Sequence, residues 1–164
     1  MKLLILSLSN KMKYSLASYT HGVLALLLAA LFLYAGVKKF IPKDRPVNPK
    51  ANLAYVEAIK TNTFERPTSF RLAVKMLSTS GFLKLIGVIQ LLAGLLIVIP
   101  KTRLIGLVFL LPITLNIFAF HLFMDDRMDE NVETGLFFLV NLMLVGSYYK
   151  KIATLFGAKI NSLE

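Results

Sequence analysis

The chain has 164 residues, 56% of them hydrophobic, and a mean hydropathy of +0.67. The apolar residues come in long blocks, which excludes a soluble domain around one small core, and the absence of cysteine excludes disulfides, thiolate metal sites and thiol relays. The net charge is +10. The basic residues flank the apolar blocks, as Lys38 and Lys39 do, and this position indicates anionic lipid headgroups as the partner and not nucleic acid.

Four blocks approach or exceed the roughly 17–25 apolar residues that cross a bilayer as a helix. They cover residues 15–37, 81–99, 104–124 and 133–149. Only helices are expected to span, because lipid offers no hydrogen-bond partner to an open backbone edge. The pattern predicts a single all-α domain over residues 1–164, an integral membrane four-helix bundle.

The first block could also be read as a cleaved signal peptide. It lies beyond a long N-terminal region, exceeds the usual apolar length and lacks a clear small-x-small site, so we expect it to stay as a span. Small residues recur within it at helical spacing, at Gly22, Ala25, Ala29 and Gly36. Because small residues let helices approach closely in lipid, this stripe predicts helix packing.

The loop 38–80 between the first two spans has the composition of an ordered segment. Asn48-Pro49 is a fair helix start, since proline is tolerated in the first helical turn. Ser69 could cap a second helix, SFRLAVKML, which places apolar residues at i, i+3, i+4 and i+7. We expect short amphipathic helices that lie flat in the membrane interface or that form a lid over the outer end of the bundle.

The second span carries polar residues on a face of small ones. Gly87, Gln90 and Gly94 share this face at i, i+3 and i+7, and Lys84 is close to it. Gln90 lies at a depth comparable with that of two asparagines in the later spans, Asn116 and Asn141. The three carboxamides could form one buried network. This network would either stabilise the bundle by hydrogen bonds between helices or form a polar ligand pocket.

The third span is interrupted by Pro112 and Asn116. Proline removes an amide donor and kinks a helix, which leaves the carbonyl of Val108 without its usual partner. A carboxamide from another helix could supply that partner. Because Pro112 and Asn116 are four residues apart, they face roughly the same way. We expect them to act together in a structural role at the kink.

His121 stands near the outer end of the third span, one turn before Asp125, within reach of an i, i+4 pair. The other histidine, His21, is expected about 25 Å away along the bundle axis, at ~1.5 Å per helical residue. That separation disfavours a haem held by both histidines. A metal at His121 would have acids nearby but only one histidine, so no metal site is predicted.

Loop charges indicate the orientation in the membrane. An even number of spans puts both termini on one side, together with the tight turn 100–103. The basic residues Lys101 and Arg103 in that turn mark this side as cytoplasmic, and the mostly acidic loop 125–130 would lie outside. The loop 38–80 is basic and disagrees, but it is long, and remote charges count less in this rule.

Three stretches resemble the DoxX family of small bacterial four-helix membrane proteins, over roughly residues 18–150. They are YAGVKKF (34–40), SGFLKLIGVIQLLAGLLIVIPKTR (80–103) and LLPITLNIFAFHLF (110–123). The residues that match the family's patterns are Ala35, Gly36 and Lys39, then Gly94, Pro100 and Arg103, and finally Pro112, Asn116 and His121. Gln90 departs from the pattern, because the family often has a glutamate there, and this puts proton transfer at Gln90 in doubt.

The resemblance implies a multi-pass protein of the bacterial inner membrane with cytoplasmic termini. Members are linked to quinone-coupled thiosulfate oxidation and to oxidative-stress complexes, and distant relatives assist assembly of membrane proteins. Cysteine-based versions of these roles are excluded here.

The leading hypothesis is a non-catalytic accessory subunit that binds a small apolar molecule, such as a quinone or a lipid, beneath the outer loop. A ligand pocket is usually apolar with a few polar groups. The candidate pocket residues are Lys39, Lys84, Gln90, Asn116, His121 and Asn141. The residues expected to be structural are Pro112, Gly36, Gly87 and Gly94.

Two other hypotheses stay open. In the first, the protein docks another membrane protein or a second copy of itself, using its small-residue stripe and basic loop. In the second, it is a small-molecule transporter, which four spans without an inverted repeat disfavour in a monomer.

Overall fold

The computed structural model describes residues 2–41 and 48–155, with side chains from residue 18 onward. These residues form helices joined by short turns and contain no strand, which confirms the all-α expectation. The helices are α1 (Lys2–Lys38), α2 (Pro49–Thr61), α3 (Thr68–Thr79), α4 (Phe82–Val98), α5 (Arg103–Met124), α6 (Met128–Gly146) and α7 (Tyr149–Leu155).

Two helical stretches are each long and apolar enough to cross a membrane, namely Ser18–Lys38 within α1 and the whole of α5. Two further candidates are bent pairs of helices. The pair α3 and α4 is bent by 80°, and the pair α6 and α7 by 64°. The described residues therefore provide two to four candidate spans by length and composition, in agreement with a helical membrane bundle.

The boundaries of α4 and α5 lie within one residue of the predicted spans. In contrast, α6 begins at Met128 rather than at residue 133. Asn48 caps α2 as predicted, since its side-chain oxygen accepts a hydrogen bond from the amide of Ala51 at 3.3 Å. The predicted cap at Ser69 is wrong, because α3 starts at Thr68 and Ser69 lies inside the helix.

The bundle is built in the order α1, α4, α5, α6, with close contacts at glycines. A Cβ atom on Gly36 would lie 3.1 Å from the carbonyl oxygen of Gly87, and one on Gly87 would lie 3.1 Å from that of Gly36. On the other side of α4, a Cβ on Gly106 would lie 2.7 Å from the carbonyl oxygen of Ala93. The backbones of α1, α4 and α5 therefore approach one another as small residues allow in lipid.

The two ends of the bundle differ in structure. At the turn end, His21 of α1 contacts Tyr148 beside the α6–α7 corner, and Gly22 lies close to Arg103 at the start of α5. At the opposite, loop end, α3 reaches the last turn of α5. The start of the α1 span, the α4–α5 turn and the α6–α7 corner therefore share the turn end.

Candidate functional site

The loop end contains a cluster of four interacting side chains, Phe70, His121, Asp125 and Arg127, which we call the loop-end cluster. His121 Nδ1 lies 3.0 Å from Asp125 Oδ2, so the i, i+4 pair expected from the sequence is confirmed. Arg127 Nη2 donates to the same carboxylate oxygen at 2.7 Å. The Phe70 ring lies 4.8 Å from the His121 ring and 5.7 Å from the guanidinium carbon of Arg127.

Asp125 is the centre of this cluster. Its side chain is only 1% exposed, and burial of a carboxylate is costly unless it is paired. The hydrogen bond from Arg127 lowers the pKa of Asp125 from 3.8 to about 2, helped by the charge of Arg127 and the hydrogen bond to His121 and opposed by burial. Asp125 is therefore ionised at neutral pH.

The ionised carboxylate sets the hydrogen-bonding role of His121. A carboxylate can only accept, so Nδ1 of His121 must donate to it. In the neutral ring this leaves Nε2 as an acceptor, directed away from the Asp125 contact. An oriented imidazole of this kind, 14% exposed, can accept a hydrogen bond from a hydroxyl group.

α3 and Arg66, which precedes it, are held against the end of α5 by hydrogen bonds to backbone carbonyls. Arg66 Nε donates to the carbonyl of Phe123 at 3.0 Å, and the Ser69 hydroxyl donates to that of Met124 at 3.2 Å. The Phe70 ring also meets the Phe120 ring edge-on at 5.7 Å. Of the two arrangements expected for this amphipathic helix, these contacts correspond to the lid.

Asn141 of α6 is fully buried and contacts α5 in the middle of the bundle. In the orientation that directs its nitrogen to acceptors and its oxygen to donors, Nδ2 donates to the carbonyl of Leu107 at 3.2 Å. The oxygen then accepts from the Leu111 amide at 3.1 Å and from the Thr114 hydroxyl at 3.3 Å. A carboxamide from another helix thus bonds to the backbone just before Pro112, next to the carbonyl for which a partner was expected.

Asn116 differs from the expectation. Its side chain is exposed, and Nδ2 donates to the carbonyl of Pro112 in its own helix at 2.7 Å. The link between Pro112 and Asn116 is therefore confirmed, but the expectation that Asn116 is a buried donor between helices is wrong. The shared face of the two residues points outward, where the helix's own backbone is the nearest partner.

The remaining candidates lie on α1 and α4. Gln90 is fully buried, and neither its nitrogen nor its oxygen has a hydrogen-bond partner. Lys84 is exposed in the first turn of α4. Lys39 is half-buried near Gly87, and its Nζ donates to the carbonyl of Ala35 at 3.3 Å. None of the hydrogen bonds described above joins two of the six candidate residues.

Sequence reasoning missed two members of the loop-end cluster, Phe70 and Arg127. Phe70 was assigned to the apolar stripe of a surface helix, and the direction of that stripe depends on where α3 docks. Arg127 is two residues after Asp125, a spacing that brings no side chains together within a helix. The two residues meet because both lie in the turn between the end of α5 at Met124 and the start of α6 at Met128. Among the described residues, no three His, Asp or Glu side chains are placed to hold a metal ion.

A family model described as the DoxX-like family matches residues 23–145 of this chain. The matched range runs from the apolar part of α1 to the end of α6 and includes Gln90, Pro112, His121 and Asn141. No curated protein and no solved structure matches the chain.

Proposed function

Because the chain belongs to the DoxX-like family of membrane proteins, we propose that it is a non-catalytic accessory subunit that binds a quinone-like molecule at the loop-end cluster. The complex it serves is a redox- or stress-related assembly in a bacterial inner membrane, with the termini of this chain in the cytoplasm. The observation that carries the proposal is the His121–Asp125 pair at 3.0 Å beneath Phe70.

The chemistry of the cluster suits a ring with a polar head. Asp125 holds the imidazole so that Nε2 accepts a hydrogen bond, as a quinol hydroxyl requires. Phe70 and Phe120 supply aromatic faces beside it, and stacked or edge-on aromatic pairs are favourable. A long apolar tail would run along exposed apolar positions of α5, such as Leu115 and Leu122.

The position of the cluster also supports an amphipathic ligand. His121 lies in the last turn of the apolar helix α5, and Asp125 ends that helix. A ligand with its head at His121 would therefore keep its tail at the depth of the bilayer. Ionisable residues at such places are functional candidates by default.

The rival hypothesis, a partner-docking role, has lost part of its support. Ala25, Ala29 and Gly36 of the small-residue stripe are buried, and Gly36 faces Gly87 of α4. These three residues of the stripe pack within the chain. The basic loop helices remain a surface to which a partner could bind.

The test is binding of a short-chain quinol to the protein in lipid nanodiscs, measured by isothermal titration calorimetry. We expect His121→Ala to weaken binding by about tenfold or more, the loss of one good hydrogen bond, with little change in melting temperature. Asp126→Asn is the control, because it changes an exposed polar side chain at the same end of the bundle, outside the loop-end cluster. Equal quinol binding by His121→Ala and the unmodified protein would refute the proposal.

A further inference from the structure

The turn end contains an open cleft of about 290 Å³ at the corner where α6 meets α7. Among the described residues it is lined by Ser18 and His21 of α1 and by Ser147 and Tyr148. It lies at the opposite end of the bundle from the loop-end cluster. A ligand in this cleft would therefore be separate from the one proposed for His121.

His21 leaves a hydrogen-bonding atom without a partner in the wall of this cleft. Its Nε2 is buried and makes no hydrogen bond, although the ring packs edge-on against Tyr148 at 5.1 Å. The Ser147 hydroxyl, in contrast, donates to the carbonyl of Leu144 at 2.7 Å. A buried polar atom without a partner is costly. With the proton on Nε2, the ring donates to a ligand with acceptor oxygens, and this relieves the cost.

Two cations, Lys151 and Arg103, lie near residues of the cleft or near residues next to them. Lys151 Nζ stands 5.4 Å above the centre of the Tyr148 ring, in a cation–π contact that holds it beside the cleft. Arg103 Nη1 comes within 3.9 Å of the position of a Cβ on Gly22, the residue next to His21. Lys151 therefore lies beside the lining residue Tyr148, and Arg103, whose Nε donates to the carbonyl of Ile97 at 3.0 Å, has its Nη1 near the α1 residue that follows His21.

Acidic residues are concentrated elsewhere in the chain. The sequence has nine. Those among the described residues lie in or just after α2, at Glu57 and Glu65, or at the end of α5 and the start of α6, at residues 125–133, which is the loop end. Within the described residues, the turn end thus contains basic side chains without a carboxylate to neutralise them. A site with this charge balance favours an anion.

The depth of the cleft indicates the kind of anion. The first predicted span begins at residue 15, shortly after Lys11 and Lys13. Ser18 and His21 therefore lie within about two helical turns of the level where a bilayer changes from headgroups to acyl chains. Exposed apolar side chains follow directly along α1, including Val23, Leu24 and Leu27. An anion at the level of Ser18 and His21 could therefore be attached to chains that lie against these residues.

We infer that this cleft, formed by Ser18, His21, Ser147 and Tyr148 with Lys151 and Arg103 beside it, binds a phosphate group, and that its source is the headgroup of an anionic phospholipid. The phosphate oxygens accept from His21 and from the two cations, as charge-assisted hydrogen bonds favour. The acyl chains lie along the exposed side of α1.

The experiment is native mass spectrometry of the full chain from mild detergent, titrated with phosphatidylglycerol, with zwitterionic phosphatidylcholine or with free glycerol 3-phosphate. We expect retention of phosphatidylglycerol, weakened about tenfold by His21→Ala and about fivefold by Lys151→Ala. Lys151 is exposed, so its variant keeps the test valid should His21→Ala fail to fold.

Lys150→Ala is the matched control, because Lys150 contacts the ring of Tyr149, outside the cleft, at 6.0 Å. It removes the same charge from the same helix and should leave binding within about twofold, as expected for a screened surface charge. Retention of glycerol 3-phosphate at the same concentrations would keep the phosphate site and assign it to a soluble compound. Equal retention of phosphatidylcholine, or equal losses for Lys150→Ala and Lys151→Ala, would overturn the proposal.

Discussion

Deep in the bundle, the side chain of Asn141 in α6, in the amide orientation that gives both of its polar atoms a partner, donates to the backbone carbonyl of Leu107 in α5 at 3.2 Å. The contact crosses between two helices at the turn that precedes Pro112. It gives the buried carboxamide a partner that no side-chain substitution on α5 removes. Of the two asparagines expected in a buried network, Asn141 therefore joins the helices and Asn116 does not.

Asn141→Leu should destabilise the folded bundle by roughly 1–3 kcal/mol, because it removes hydrogen bonds and leaves backbone groups unpaired in a buried place. Asn116→Leu should change stability by less than about 0.5 kcal/mol, as expected for an exposed position. Denaturant titration in mixed micelles would measure both. The opposite order would show that Asn116, not Asn141, joins the helices.

Gly106→Ala should destabilise the bundle by roughly 1–3 kcal/mol, as overpacking does. The added Cβ would meet the carbonyl oxygen of Ala93 at 2.7 Å and the amide nitrogen of Ile97 at 2.8 Å, so α4 and α5 would have to separate. Gly146→Ala is the control, since nothing lies within 4 Å of its Cβ position. Similar melting temperatures for the two variants would contradict the close packing of α4 and α5.

Gln90→Leu should leave the stability unchanged or raise it by up to about 1–3 kcal/mol, because an unpaired buried amide is replaced by an apolar side chain of similar size. The sign is the opposite of that expected for Asn141→Leu, although both residues are fully buried. Thermal unfolding of the two variants side by side would separate them. A marked loss for Gln90→Leu would mean that a bound molecule satisfies the amide.

The stability of the loop end should fall in acid through Asp125. Its pKa is lowered from 3.8 to about 2 in the folded protein, so its contribution is complete above the unfolded value and is lost as the pH falls through the folded one. Melting temperatures between about pH 5 and about pH 2 would show this loss. Asp125→Asn should weaken the dependence, whereas Asp126→Asn, at an exposed position, should retain it.

The proposed orientation predicts which cysteines a membrane-impermeant reagent reaches from outside intact cells. The chain has no cysteine of its own, so single substitutions are specific. Lys101→Cys in the α4–α5 turn should stay unlabelled, because basic short turns are retained in the cytoplasm. Glu65→Cys between α2 and α3 should react, and the reverse pattern would invert the orientation.

The features predicted correctly from the sequence depend on neighbours along the chain. The apolar run gave the bounds of α5, and helical spacing gave the His121–Asp125 pair. Met128, Asp129 and Glu130 are polar or exposed residues ahead of the apolar block, so hydropathy alone missed the first turn of α6.

The features that were missed depend on how helices pack. Pro112 and Asn116 were placed correctly on one face of α5, but the sequence does not say whether that face points to lipid or to α6. Asp125 and Asp126 are adjacent and identical in type, yet only the first is buried. What distinguishes them is the position of Arg127 and of Phe70, which is distant in the chain.

The fastening of α3 over α5 has a consequence for how the sequence can change during evolution. The accepting groups at Phe123 and Met124 are backbone carbonyls, which every residue type carries, whereas the donors are the side chains of Arg66 and Ser69. Positions 123 and 124 can therefore drift among apolar residues without loss of these two hydrogen bonds, while drift at positions 66 and 69 removes them. In homologues that keep these two hydrogen bonds, the constraint on residue type therefore falls on the donor positions 66 and 69 and not on the acceptor positions 123 and 124.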